Sequence, residues 1–252
     1  MALAGSLLFW GFMLLTSVLF YPVALIIRGV TFPFDRRLAA LHLFSCFWAS
    51  LYTWCNPLWR VRIEGRERID RRRTYVMVSN HQSLVDILVL FRLLTHFKWV
   101  SKAENFRIPF VGWNMTLNRY IRIERGSARG NLSMMRSAGA ALGEGSSVMI
   151  FPEGTRSLTG TPGAFKPGAF ELAIRSGSSV LPIVIEGTSA ALPKRGFVLR
   201  GKHAIRVRIL PPVSPSRAPD AESLAHLVRE MIAGEIAGSS LPGRAAESAP
   251  EA

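Results

Sequence analysis

The pattern of apolar and polar positions divides the chain into two unlike parts. From Ala2 to Ile27 there is no charged residue. As a helix, the stretch from Ala2 to Tyr21 rises ~30 Å, about the thickness of a bilayer's hydrocarbon core. A basic n-region is missing and no small-residue cleavage site follows, which argues against a secretory signal peptide. After Arg28 and a turn around Pro33, a second helical stretch runs over Arg36–Asn56 and stops at Pro57. It is rich in Leu, Phe and Trp, and Trp48, Tyr52, Trp54 and Trp59 suit a membrane interface, where an apolar ring carries a polar edge. Residues 1–57 therefore read as a two-helix membrane anchor. If both helices crossed the bilayer, Arg28, Arg36 and Arg37 would lie opposite Arg66, Arg68, Arg71, Arg72 and Arg73, which the positive-inside tendency disfavours. Two arrangements keep all of them on one side. Either the first helix spans and the second lies in the interface, or both enter one leaflet as a hairpin.

From Trp59 onward the period changes. Short β-type runs occur at Arg60–Glu64, Tyr75–Ser79, Phe97–Ser101, Tyr120–Ile123, Ser147–Phe151, Val180–Ile185 and Ala204–Leu210. Helical patterns fall between several of them, at Leu84–Thr95, Ser127–Leu142 and Gly168–Ser176, and a last one covers Ala221–Ile236. Strands separated by helices predict an α/β domain over residues 58–237, a mixed sheet flanked by helices. Residues 238–252 are small, polar and dotted with proline, the composition of a disordered tail.

Charge narrows the choice of partner. The 31 Lys and Arg against 17 Asp and Glu give a net charge of +14, which calls for an anionic partner: nucleic acid, an anionic membrane surface or a phosphorylated substrate. No nucleic-acid motif is present, and many of the arginines sit beside the apolar segments or at strand ends. Cys46 and Cys55 lie in an apolar stretch and cannot by themselves build a disulfide framework or a metal site.

In α/β sheets, ligands gather where strands end and loops lead into helices. Two polar motifs stand there. In Asn80-His81-Gln82-Ser83-Leu84-Val85-Asp86, a histidine follows a strand and a carboxylate sits five residues on, in the first turn of a helix. An imidazole there can take a proton from a hydroxyl while the carboxylate orients the ring. The same residues also fit a helix-capping box, Ser83 to Asp86. In Pro152-Glu153-Gly154-Thr155-Arg156-Ser157, Gly154 allows close approach of a ligand, Arg156 offers a planar fork for phosphate, and Glu153 can accept from a hydroxyl. Lys166, in the Gly/Pro loop that follows, stands just before a helix N-terminus.

Taken in this order, the two motifs resemble the 1-acyl-glycerol-3-phosphate acyltransferases of the glycerolipid acyltransferase family, over roughly Trp59 to Pro211. The resemblance implies His81 and Asp86 as the catalytic pair and Glu153, Gly154, Thr155 and Arg156 as the acceptor-binding block. Leu181-Pro182-Ile183-Val184 looks like the family's last block, an apolar strand bordering the acyl site. In the intermediate block, Arg119 replaces the family's Gly, Arg122 an apolar residue and Glu124 the Asp, while Arg125 is retained and would bind phosphate. Lys102 is a further candidate phosphate ligand. The implied reaction moves an acyl chain from acyl-CoA or acyl carrier protein onto 1-acyl-glycerol-3-phosphate, or onto another lysolipid such as a lyso-ornithine lipid. It needs no metal and no bound cofactor, and no nucleic acid as partner. Its setting is a membrane, with the catalytic domain on the cytoplasmic face (the inner membrane in a bacterium). Backbone N–H groups near the His81 loop are the expected donors to the tetrahedral oxyanion. A hydrolase using the same pair, and a membrane-tethered nucleic-acid binder, are the readings from other classes. Free fatty acid from a labelled thioester, or salt-sensitive DNA binding without acyl transfer, would favour them.

Overall fold

All seven β-type runs are strands of one sheet. In the computed structural model, which describes residues 2–157, 160–194 and 196–239, they are β1 (Trp59–Glu64), β2 (Tyr75–Ser79), β3 (Phe97–Lys102), β4 (Ile121–Ile123), β5 (Ser147–Ile150), β6 (Ser179–Glu186) and β7 (His203–Ile209). Their order is β1-β7-β6-β2-β5-β3-β4. The five strands from β6 to β4 are parallel, β7 is antiparallel to β6, and β1 is parallel to β7. The sheet is therefore mixed, as the sequence predicts. The carboxyl ends of the five parallel strands share one edge.

The central strands are apolar on both faces because both are covered. Tyr75 and Met77 point into one core with Phe97, Trp99, Met149 and Leu181, under Val85, Val89 and Leu90 of helix α3 (Val85–Phe91). Val76 and Val78 point into the other with Val148, Val180 and Val184. That core is closed by α5 (Ala128–Gly143), α6 (Gly168–Ser176) and α8 (Ala221–Ser239). Helix α8 passes the predicted boundary at residue 237, and the rest of the predicted tail lies outside the described residues.

The two N-terminal stretches form α1 (Ala2–Thr31) and α2 (Ala39–Trp54). Helix α2 begins three residues later than Arg36 because the Asp35 carboxylate accepts from Ala39 N at 3.0 Å and Ala40 N at 2.8 Å, fixing the first turn there. It packs on α3 and is a layer of the fold as well as an expected anchor. Helix α1 touches the domain along its whole length. Ser6 Oγ accepts from Leu199 N (2.9 Å), and Trp10 Nε1 donates to Phe197 O (2.7 Å). Thr16 Oγ1 meets Tyr52 Oη at 2.8 Å, and the Tyr21 ring lies 5.6 Å from that of Trp113. The outer face remains apolar: Leu8, Leu15, Leu19 and Ile26 are all more than half exposed. Helix α1 is long and apolar enough to cross a membrane.

Two short helices, α4 (Val111–Leu117) and α7 (Thr188–Ala191), complete the fold. Helix α4 packs so closely on the preceding 3-10 turn that a Cβ on Gly112 would lie 2.5 Å from Asn105 O. The helix expected over Leu84–Thr95 ends at Phe91, and Leu94 turns through a left-handed conformation so that β3 can begin at Phe97.

At the amino edge of β3, His96 lies beneath α2, its ring 5.4 Å from that of His42, with Nε2 on Ser146 Oγ at 2.9 Å and Nδ1 buried without a partner. Burial, reinforced by Lys98 and Arg37, pushes the imidazole down to about 4. An unfolded chain takes up this proton as pH falls through about 6.5, whereas the folded chain does so only near 4. Stability is therefore lost as pH drops across that window, by on the order of 3 kcal/mol. Chemical denaturation as a function of pH should show this loss, and His96→Gln should reduce it, leaving the part due to His42, whose imidazole burial also holds well below its ordinary range.

Candidate active site

The end of β2 is built around Asn80, a buried amide that imitates a peptide. Its Nδ2 donates to Ile185 O and its Oδ1 accepts from Ile185 N, both at 2.8 Å, so the side chain continues the ladder to β6 while the main chain leaves the sheet. The next side chain, His81, is thereby held at the carboxyl edge. Its Nδ1 lies 2.8 Å from Asp86 Oδ2, and the same oxygen accepts from Gln82 N at 2.6 Å and Ser83 N at 2.9 Å. The capping reading and the pairing reading of this motif are thus both satisfied by one carboxylate. Ser83 Oγ completes the turn, accepting from Val85 N at 3.2 Å and donating to Leu192 O at 2.7 Å. Because a carboxylate only accepts, Nδ1 carries the proton and Nε2 keeps a free lone pair. Nε2 has no hydrogen-bond partner among the described residues, and the side chain is 14% exposed. The imidazole lies flat on Phe151, centroids 3.9 Å apart and planes 12° from parallel.

The second motif follows β5, the strand beside β2, and meets the first directly. Glu153 Oε1 accepts from His81 N at 2.8 Å, and Oε2 accepts from Gly163 N at 3.0 Å. Both oxygens of this buried carboxylate are thus engaged by backbone, and it braces two loops where the sequence suggested an acceptor for a substrate hydroxyl. Ser157 N donates to His81 O at 2.7 Å and closes the junction. Gly154 turns at φ +69°, and a Cβ on it would approach Lys166 Cε and Nζ at 3.3 Å. Lys166 thus lies over the turn, while Lys194 Nζ reaches it from the far side to donate to Arg156 O at 2.5 Å. Arg229 of α8 holds the loop beyond, donating to Gly163 O at 3.0 Å and Pro162 O at 3.1 Å. Thr155 is exposed and Arg156 half-buried.

Lys102 ends β3, and Arg125 stands two residues after β4, on the same edge and both exposed. Adjacent strands are ~4.8 Å apart, so Lys102 lies about 10 Å across the sheet from the end of β2 and Arg125 about 14 Å. Arg156, on the loop from the neighbouring strand, is the closest of the three by topology. Arg122 turns instead over the Phe106 ring at 4.7 Å. The N–H groups of His81, Gln82 and Ser83 are all committed to carboxylates, so the expected oxyanion donors are not free. Those of Thr155 and Arg156 carry no hydrogen bond among the described residues.

Sequence reasoning singled out His81, Asp86 and the Glu153–Arg156 block, and the fold brings them together. It gave no role of their own to Asn80, the first residue of one motif, or to Phe151, the residue before the other. Lys194 and Arg229 gave no local signal, since only the folded chain carries them to the site.

Comparison with known proteins agrees with this geometry. The family model described as Acyltransferase matches residues 60–186. The chain is 34% identical over 251 residues to a 1-acyl-sn-glycerol-3-phosphate acyltransferase of Chlamydomonas reinhardtii, covering 98% of this chain and 73% of that protein. It is also 34% identical over 208 residues to a chloroplastic 1-acyl-sn-glycerol-3-phosphate acyltransferase of Arabidopsis thaliana, but it spans only 56% of that relative's length. The fold is that of the crystal structure of the 1-acyl-sn-glycerophosphate acyltransferase of Thermotoga maritima, with TM-score 0.77 at 23% identity, covering 96% of this chain and 99% of that one.

Asn80 offers a test of how the His81 loop is held. Asn80→Ala leaves the N–H and C=O of Ile185 buried without partners and should cost about 2–4 kcal/mol. Asn80→Asp should also destabilise, since a carboxylate cannot donate to Ile185 O. Urea denaturation monitored by tryptophan fluorescence measures both.

Proposed function

Because this chain belongs to the acyltransferase family, we propose that it moves a fatty acyl chain from a thioester of coenzyme A or acyl carrier protein to the free hydroxyl of 1-acylglycerol-3-phosphate, making phosphatidic acid. The observation that carries this reading is the His81–Asp86 pair at 2.8 Å, its outer nitrogen free, beside a turn surrounded by Arg156, Lys166 and Lys194. An alcohol attacking a thioester needs a base and a fixed position more than it needs an enzyme nucleophile. His81 Nε2 takes the hydroxyl proton as the acceptor oxygen bonds to the thioester carbonyl. Asp86 stabilises the imidazolium. Collapse of the tetrahedral oxyanion expels the thiolate, which takes the proton back from Nε2 and leaves as thiol. The unpartnered N–H groups of Thr155 and Arg156 are the donors assigned to the oxyanion. Arg156 and Lys102 hold the acceptor phosphate, with Arg125 reaching in from the outermost strand, and Gly154 gives the substrate room at the turn. Glu153 is a positioning residue that acts through His81 N and Gly163 N.

Both helices lie in one leaflet in this reading, with the catalytic domain on the cytoplasmic face. Helix α1 is fastened to the domain by Leu199 and Phe197 near its start, by Trp113 at Tyr21 and by Leu117 beside Ala24 and Ile27, so it lies along the domain and does not project from it. Helix α2, with 16 residues, rises only ~24 Å, short of a bilayer core. Phe197, whose ring meets that of Trp10, and Val198 are exposed as well, and so is Leu84, three residues from His81. A lysolipid can therefore present its headgroup to the site while its chain stays among lipids.

With radiolabelled acyl thioester and lysophosphatidate, the purified protein should yield diacyl lipid; free fatty acid alone would make it a hydrolase. His81→Ala should lower kcat by at least ~10²-fold without loss of fold. Asp86→Asn should cost both turnover and stability, because the same oxygen serves Nδ1 and two backbone donors. Ser83→Ala should spare turnover per folded molecule. Near-normal turnover in His81→Ala would end the mechanism.

Arg156→Ala should raise the acceptor KM about tenfold or more, the loss of a charge-assisted hydrogen bond, with a smaller change in kcat. Arg156→Lys should restore it only in part, since an ammonium does not reproduce the planar fork. Initial rates over a range of lysophosphatidate concentrations measure both.

A further inference from the structure

The end of α1 and the turn after it carry Arg28, Arg36 and Arg37, and Arg119 meets them from the turn between α4 and β4. Together they line two adjoining cavities of ≈ 590 and ≈ 400 Å³ that share Arg28 and Arg119. Two carboxylates are present on these walls, Asp35 and Glu144. Asp35 is committed to the start of α2 through Ala39 N and Ala40 N, at 3.0 and 2.8 Å. None of the four arginines forms an ion pair among the described residues. Arg37 Nη1 donates to Gly145 O at 3.0 Å, and Arg28 sits 4.9 Å over the Phe32 ring, so both guanidiniums are positioned without being neutralised.

The backbone at Arg119 is a second, independent observation. Its φ is +53°, a left-handed conformation that glycine takes freely and a residue with a Cβ does not. A side chain kept at a strained position, and aimed into both cavities, points to work done by the guanidinium.

The cavities lie far from the reaction. Glu144 and Gly145 precede β5 and Arg119 precedes β4, so this is the amino edge of the parallel strands, whereas His81 and Glu153 stand at the carboxyl edge. Even the four residues of β5 separate the two edges by ~13 Å. The rim is apolar: Phe32, Phe34 and Trp113 are 64%, 73% and 44% exposed, and they continue the outer face of α1.

We infer that this arginine-lined pocket binds the phosphate headgroup of an anionic phospholipid, at a site separate from the acceptor site, and so pins the α1–α2 hairpin at headgroup level. Arginines without a carboxylate partner attract a phosphate, and the aromatic rim suits the acyl region just beneath it. The inference rests on the leaflet placement of α1 and α2 proposed above.

The test uses the full chain and sedimentation with vesicles of phosphatidylcholine alone or mixed with phosphatidylglycerol. The parent chain should bind the neutral vesicles through its apolar face and the mixed ones more tightly. Arg119→Gly and Arg36→Gln should each cut the gain from phosphatidylglycerol about fivefold, with neutral binding unchanged. Arg175→Gln, an exposed arginine on α6, should change it much less. Since glycine relieves the left-handed turn, Arg119→Gly should melt no lower than the parent, which separates loss of the site from loss of fold. Equal losses in Arg119→Gly and Arg175→Gln would reduce the effect to general surface charge and overturn the site, as would no gain from phosphatidylglycerol in the parent. Thermal stabilisation by inorganic phosphate equal to that by phosphatidylglycerol would also overturn it, showing a pocket for free phosphate. Failure of the parent to bind neutral vesicles would instead strike the leaflet placement, while the phosphatidylglycerol gain would still judge the pocket.

Discussion

The site is organised by one oxygen atom. Asp86 is fully buried, and a carboxylate withdrawn from water is tolerated only when donors replace the water it lost. Here the replacements converge on Oδ2, which takes His81 Nδ1, Gln82 N and Ser83 N, while Oδ1 is buried with no partner. The negative charge is thereby concentrated on the side of the imidazole. The same three contacts fix the path of the main chain from β2 into α3, so the geometry of the His81–Asp86 pair and the start of the helix cannot be varied separately.

Glu153 extends this logic to the neighbouring strand. Its two oxygens tie the His81 loop to the Gly163 loop, which Arg229 in turn holds from α8. With its charge shared between two backbone amides, the carboxylate is screened from the phosphate that Arg156, Lys166 and Lys194 would attract. The two amide dipoles reduce the repulsion that this carboxylate exerts on an anion at the turn without removing it, and the three cations there outweigh its single charge.

Much of this was legible before folding. Alternation and strand-end punctuation located every strand within a residue or so: β2, β5 and β6, buried on both faces, are continuous apolar runs, while β1, β4 and β7 alternate apolar with charged positions. The spacing of His81 and Asp86 gave the pair, and the compressed block from Glu153 to Arg156 gave the second loop. Roles that depend on backbone amides were not legible. Glu153 reads as a ligand for substrate until His81 N and Gly163 N are seen to occupy it, and Asn80 reads as a loop residue until Ile185 supplies both of its partners. Helices α4 and α7 are too short to show a period, and their reason for being helical is tertiary. For α1, length and missing charge revealed its apolar character. Only the contacts at Ser6, Trp10 and Tyr21 show that one side of it belongs to the domain.

Those contacts also bear on the order of events during synthesis. Helix α1 leaves the ribosome before the domain it packs on, yet its amino-terminal turns are secured by Phe197 and Leu199, 187 and 193 residues further along the chain. At typical elongation rates these partners arrive roughly ten seconds or more afterwards. An uncharged helix cannot wait that long in water without finding another apolar surface. In the leaflet placement proposed above, lipid is its first folding partner, and the domain completes itself by docking onto a helix that the membrane already holds.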